Sequence, residues 1–127
     1  MKLLLLIAGG AIGTTARYMV SGWAHRFTDG TFPTGTLAVN LIGSLLIGLL
    51  WGFFETLNIS SNTRTFIFIG ILGSFTTFSS FSLETLNLFR EGEIKLAVIN
   101  IFANNIFGIA LAVIGFVMAK GMINLIK

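Results

Sequence analysis

Cysteine is absent from this chain of 127 residues. Its absence excludes disulfides and thiolate metal sites. Proline occurs once, at Pro33, and histidine once, at His25. Charge is scarce: charged residues make up 10% of the chain, against about 25% in a soluble domain. The five acids are Asp29, Glu55, Glu84, Glu91 and Glu93. No pair among them has metal-ligand or acid–base spacing inside an apolar segment, and no glycine-rich phosphate loop follows a strand pattern. An enzyme is therefore not expected. The eight Lys and Arg residues are scattered and form no patch. Nucleic acid is not an expected partner, and the cations read as anchors at membrane edges.

What is present is apolar. Hydrophobic residues make up 54% of the chain, and mean hydropathy is +0.91. Such an inventory cannot cover a soluble surface, so the expected fold is an all-α integral membrane protein in a lipid bilayer. A span takes about 20 apolar residues, and four candidates lie at roughly 3–25, 34–56, 65–89 and 95–120. They nearly exhaust the chain, which leaves one four-helix transmembrane domain over 1–127 and no soluble domain. Arg17 and Tyr18 follow the first apolar stretch without a small-residue cleavage site. That stretch reads as mature helix rather than signal peptide.

Four spans put both termini on one side. That side carries Lys2, Arg64, Lys120 and Lys127, and the other carries Arg17, Arg26, Arg90 and Lys95. A protein with one fixed orientation usually shows a bias in Lys and Arg. The balance here points to insertion both ways up and to pairing of antiparallel copies. Such a pair supplies in trans the inverted repeat that larger transporters carry in one chain.

Polar residues fall in stripes. Span 1 carries Gly9 and Gly13, a small-xxx-small surface for close helix approach. Arg17 sits toward its end. It is either a snorkelling cation or a fixed positive charge at the mouth of an anion path. Span 2 places Asn40, Ser44 and Gly48 on one face. An amide in hydrocarbon needs a partner, so Asn40 either bonds another helix or offers its NH₂ to a solute. Span 4 repeats the spacing with Asn100, Asn104 and Gly108. Two amides one turn apart suggest a polar track or a self-interface.

Span 3 contains Gly73-Ser74-Phe75-Thr76-Thr77-Phe78-Ser79-Ser80-Phe81-Ser82, with six hydroxyls and three phenylalanines at every third position. Two glycines, Gly70 and Gly73, and the hydroxyls after them predict two half-helices with a break near 73–77. On the second half Thr77, Ser80 and Glu84 share one face, flanked by Phe78 and Phe81. Hydroxyls bonding back to i−4 carbonyls and phenyl rings in lipid would explain much of the stretch as packing. The density of hydroxyls, a glycine break and an in-span carboxylate favours a site. Hydroxyls, amides, an arginine and the positive edges of phenyl rings suit a small, dehydrated anion.

GILGSFTTFSSF resembles the G-x-x-G-G-x-T-T-F-S-T-F signature of the Fluc (CrcB-like) family of small bacterial fluoride channels. GGAIGTTARY at 9–18 resembles the family's G-G-x-x-G-A-x-x-R-Y. TLAVNLIGSLLIG at 36–48 resembles its T-L-x-V-N-x-x-G-S-F-x-x-G. The three pieces cover three of the four helices. The resemblance implies a dual-topology antiparallel homodimer in the bacterial inner membrane, which lets toxic cytoplasmic fluoride leave passively. By position it implies that Phe78 and Phe81 line the pores, that Asn40 helps coordinate the ion, and that Arg17 stands near the vestibule. Thr77, Ser79, Ser80 and Asn104 complete the expected pore lining. Backbone carbonyls of Gly73 and Thr76 are implied as holders of a structural Na⁺ on the dimer axis, where a helix C-terminus favours a cation. Ser74 and Ser80 depart from the signature, and Asn100 and Asn104 stand where the family often has hydroxyls. The alternative is a small multidrug-type proton-coupled exporter. It needs a carboxylate in span 1, which this span lacks.

Overall fold

The computed structural model describes residues 1–28 and 30–126; Asp29 and Lys127, counted above among the acids and cations, lie outside the described residues. The described chain is all helical, and four of its helical stretches are long and apolar enough to cross a membrane: Lys2–His25, Thr34–Thr56, Ser61–Arg90 and Ile94–Ile126. Helices satisfy their own backbone groups, which lipid cannot do for them. Span 1 is α1 (Lys2–His25). Span 2 is α2 (Thr34–Thr56), which starts directly after Pro33. A proline there sacrifices no helical hydrogen bond.

Span 3 is built from pieces. It runs through α3 (Ser61–Arg64), a π-helical segment (Thr65–Leu72), α4 (Gly73–Phe75) and α5 (Phe78–Arg90). Span 4 comprises α6 (Ile94–Phe102), a π-helical turn (Ala103–Phe107) and α7 (Gly108–Ile126). Wide π turns are rare and concentrate at functional sites, and the one in span 4 carries Asn104 and Asn105.

Glycine sets the packing. Spans 2 and 4 lie so close that a Cβ on Gly48 would strike the Ala112 carbonyl, and one on Gly115 would strike the Leu45 carbonyl. Span 1 approaches the first half of span 3 equally closely. A Cβ on Gly9 would lie 2.9 Å from the Gly70 Cα, and one on Gly13 would strike the Ile71 carbonyl. Small residues of this kind let backbones touch where no hydrophobic force drives helices together. At the end bearing both termini, Lys120 pairs with Glu55 at 2.9 Å. Trp51 Nε1 donates to the same carboxylate at 2.9 Å, and Arg64 Nη2 donates to the Phe54 carbonyl at 3.1 Å.

The break in span 3 is narrower than its glycines suggest. Gly73 is helical (φ −63°, ψ −30°), whereas Thr76 (φ −80°, ψ 160°) and Thr77 (φ −150°, ψ 116°) are extended. Gly70 serves the contact with Gly9 rather than flexibility. The helix is interrupted at the two threonines, and Thr77 starts the next one by accepting from the Ser80 N–H at 3.2 Å.

Candidate functional site

An extended pair of residues inside lipid leaves backbone groups that need partners. Asn40 of α2 supplies them. Its Oδ1 accepts from the Thr77 N–H at 2.8 Å, and its Nδ2 donates to the Thr77 carbonyl at 3.1 Å. The same Nδ2 donates to Asn104 Oδ1 at 2.9 Å. Asn104 Nδ2 in turn donates to Asn100 Oδ1 at 2.9 Å and to the Asn100 carbonyl at 3.0 Å. Asn100 is fully buried, and its Nδ2 donates to Thr85 Oγ1 at 3.0 Å. The Thr85 hydroxyl donates to the Phe81 carbonyl at 2.7 Å.

These bonds form one chain from the break to α5 by way of span 4. The Thr77 N–H can only donate and the Phe81 carbonyl can only accept. The Thr77 end therefore fixes the orientation of the three amides, and the Thr85 hydroxyl, which can donate or accept, closes the chain on the Phe81 carbonyl. Buried polar groups are affordable here because each has a partner.

Two cavities meet at Thr77. The first, of about 320 Å³, is lined by Asn40, Asn104, Gly73, Thr76, Thr77, Phe78 and Phe81 among others, and its lining holds no carboxylate. The second, of about 870 Å³, is lined by Arg17, His25, Arg26, Thr36, Thr77, Ser80 and Glu84 among others. Thr77 thus borders both a larger vestibule, which carries cations and the Glu84 carboxylate, and a smaller chamber with aromatic walls.

Phe78 and Phe81 stand with ring centroids 5.4 Å apart and planes tilted by 54°. Phe81 is buried, but Phe78 is 75% exposed, so the chamber is open along that side. The hydroxyls of the span 3 stretch divide between the cavities: Thr76 and Thr77 line the chamber with the rings, and Thr77 borders the vestibule as well. Ser80 faces the vestibule with Glu84, and the rings face the chamber. Ser79 is exposed and lines neither. Arg17 reaches the vestibule wall at half-burial.

Three hydroxyls in or beside the stretch simply bond back to i−4 carbonyls: Thr76 to Leu72, Ser82 to Phe78 and Thr85 to Phe81. Glu84 accepts from the Thr36 hydroxyl at 2.6 Å. Sequence reasoning missed Thr36 and Thr85. Thr85 was findable, because Thr77, Phe81 and Thr85 recur every fourth residue on one helix face. Among the described residues no group of His, Asp and Glu could hold a metal ion. Backbone oxygen is what the break offers a cation: the Thr77 N–H, which an unbroken helix would aim at the Gly73 carbonyl, goes to Asn40 instead.

A family model described as CrcB-like protein, Camphor Resistance (CrcB), matches residues 4–116. A curated relative from Parabacteroides distasonis, named fluoride-specific ion channel FluC, is 49% identical over 126 residues, covering 99% of this chain and 98% of its own. Relatives of the same name from Agrobacterium fabrum and Pyrococcus abyssi are 44% and 46% identical, over 93% and 92% of this chain and 95% and 94% of their own.

Proposed function

The chain belongs to the CrcB-like family, and we infer that it works as its curated relatives are named, as a fluoride-specific ion channel. It is a multi-pass membrane protein and not an enzyme. The observation that carries this reading is the chamber at the break: amides of Asn40 and Asn104 and the rings of Phe78 and Phe81 surround it, with no acid in the lining. Ring edges and N–H groups attract an anion without trapping it. The vestibule behind Thr77 sets Arg17 and Arg26 against the single carboxylate of Glu84, an excess of positive charge that draws anions toward it. A proton-coupled exporter of cations is not supported. Its relatives would not be named as fluoride channels, and α1 has no acid in its sequence.

The working form in this reading is an antiparallel homodimer in the bacterial cell membrane. Two observations support it. Cations are balanced four to four between the two edges in the sequence, and the chamber is open beside an exposed Phe78, where a second copy would close it. A Na⁺ held by the Gly73 and Thr76 carbonyls belongs to the same reading. The fit is supported by the end of α4 at Phe75 and by the diversion of the Thr77 N–H; a hard cation takes such neutral oxygens. Bound there, the ion would supply fixed positive charge near the path.

Accessibility labelling of each edge tests the assembly. Both edges should label from both sides of the membrane. Lysines added to one edge should silence the variant alone and be rescued by an oppositely biased copy. Labelling from one side only would refute the dual orientation. Fluoride efflux from liposomes tests the channel itself.

A further inference from the structure

Both hydrogens of the Asn40 carboxamide are engaged, one by the Thr77 carbonyl and one by Asn104 Oδ1. An ion coordinated by Asn40 must displace one of these acceptors. The Thr77 bond is half of a double pairing with backbone and is the harder to give up. Asn104 Oδ1 is the one that yields. It is a lone acceptor, 2.9 Å from Asn40 Nδ2, in the wall of the chamber.

We propose that Asn104 is a placeholder for the anion, and that Asn100 and Thr85 are positioning residues which let it turn. The inference rests on the fluoride-channel reading above. When fluoride takes the Asn40 hydrogen, Asn104 rotates its carboxamide. It then offers its own N–H to the ion, which sits between two amide donors. That rotation aims Asn104 Oδ1 at Asn100 Oδ1, two acceptors face to face. Asn100 must therefore turn as well and donate its Nδ2 to Asn104.

Asn100 Oδ1 then needs a donor, and the Thr85 hydroxyl provides it by leaving the Phe81 carbonyl. A hydroxyl is the one group in the chain that rotates freely between donor and acceptor. Thr85 is thus the reversing element. The Asn104–Asn100 and Asn100–Thr85 side-chain bonds re-form with opposite polarity, and the ion's bonds to the two amides must offset the rest. What is lost is the Thr85 bond to the Phe81 carbonyl and the Asn104 bond to the Asn100 carbonyl. Thr85 and Asn100 are buried and line neither cavity, so their effect on the ion passes through Asn104.

The test is fluoride efflux from proteoliposomes, with dimer integrity checked by size exclusion. Thr85→Val keeps the shape and removes the hydroxyl; its flux should fall by about tenfold or more, while Thr85→Ser should stay within about threefold of the unmodified protein. Undiminished flux in Thr85→Val overturns the relay, and so does an equal loss in Thr85→Ser, which would assign Thr85 to packing. If Thr85→Val does not assemble, Asn104 decides. Asn104→Ser can still donate or accept and should conduct at least about tenfold better than Asn104→Asp, which can only accept. Equal flux in those two refutes the placeholder. No fluoride flux through the unmodified protein would refute the channel reading itself, a separate result.

Discussion

Asn40 and Thr77 are hydrogen-bonded to each other twice, the side-chain amide of one against the backbone N–H and carbonyl of the other, at 2.8 and 3.1 Å. The residues are 37 positions apart in sequence. The pairing does for Thr77 what a helix would have done, and so permits a break in the middle of a hydrophobic span.

Asn40→Leu leaves both Thr77 backbone groups without partners in an apolar setting, at about 1–3 kcal/mol for each unsatisfied group. The variant should lose thermal stability and flux together. Asn40→Asp keeps the acceptor for the Thr77 N–H but loses the donor and adds negative charge to the chamber. It should fold better than Asn40→Leu and still fail to pass fluoride. Normal flux in either variant would contradict the assignment of Asn40 to the break and the path.

Gly48→Ala places a methyl group on the Ala112 carbonyl. Spans 2 and 4 must then separate, at about 1–3 kcal/mol or more for overpacking. Gly121→Ala is the control, since a Cβ there meets nothing within 4 Å. Thermal unfolding in detergent should show a clear drop for the first and none for the second. Equal stability would show that the close approach of these spans is not tight in the membrane.

The four spans were legible in the sequence because lipid imposes its length on every apolar run. The break was legible near 73–77, and it falls at Thr76 and Thr77; its confinement to the threonines was not legible, because glycine signals both flexibility and close packing. Gly70 is used for the second against Gly9, and Gly73 stays helical. The two uses differ only in what lies opposite, which a linear reading does not contain. The stripes of Asn40 and of Asn100 with Asn104 were visible, but their joining into one chain across spans 2, 4 and 3 was not. The separation of Ser80 from the phenyl rings was hidden as well. Ser80 and the two rings lie on different flanks of the one helix α5, and which flank meets which cavity is set by the neighbouring spans, which a linear reading does not contain.

Phe78→Ile and Phe81→Ile remove the ring edges while keeping apolar bulk. Phe81 is buried, and its change should cost about 1–2 kcal/mol of stability; the exposed Phe78 should cost less. Both should lower fluoride flux by about tenfold or more if ring edges stabilise the dehydrated ion. Full flux in a folded Phe78→Ile, Phe81→Ile double variant would show that the rings only pack.

A bound Na⁺ should stabilise the assembly, because a ligand held only by the folded form raises its stability. Thermal unfolding in Na⁺ should therefore exceed that in choline at equal ionic strength. The difference should survive Thr76→Val, which keeps the backbone carbonyl and loses only the hydroxyl bonded to Leu72. Identical unfolding in the two salts would argue against the ion.

The most direct measurement is anion efflux from liposomes holding the purified protein, loaded in parallel with fluoride and with chloride. A chamber walled by phenyl edges and amides closes around a small anion and leaves a larger one hydrated outside. The expected result is rapid fluoride efflux with chloride release no faster than from empty liposomes. Equal efflux of the two anions, or no fluoride efflux from the intact, folded protein, would contradict it.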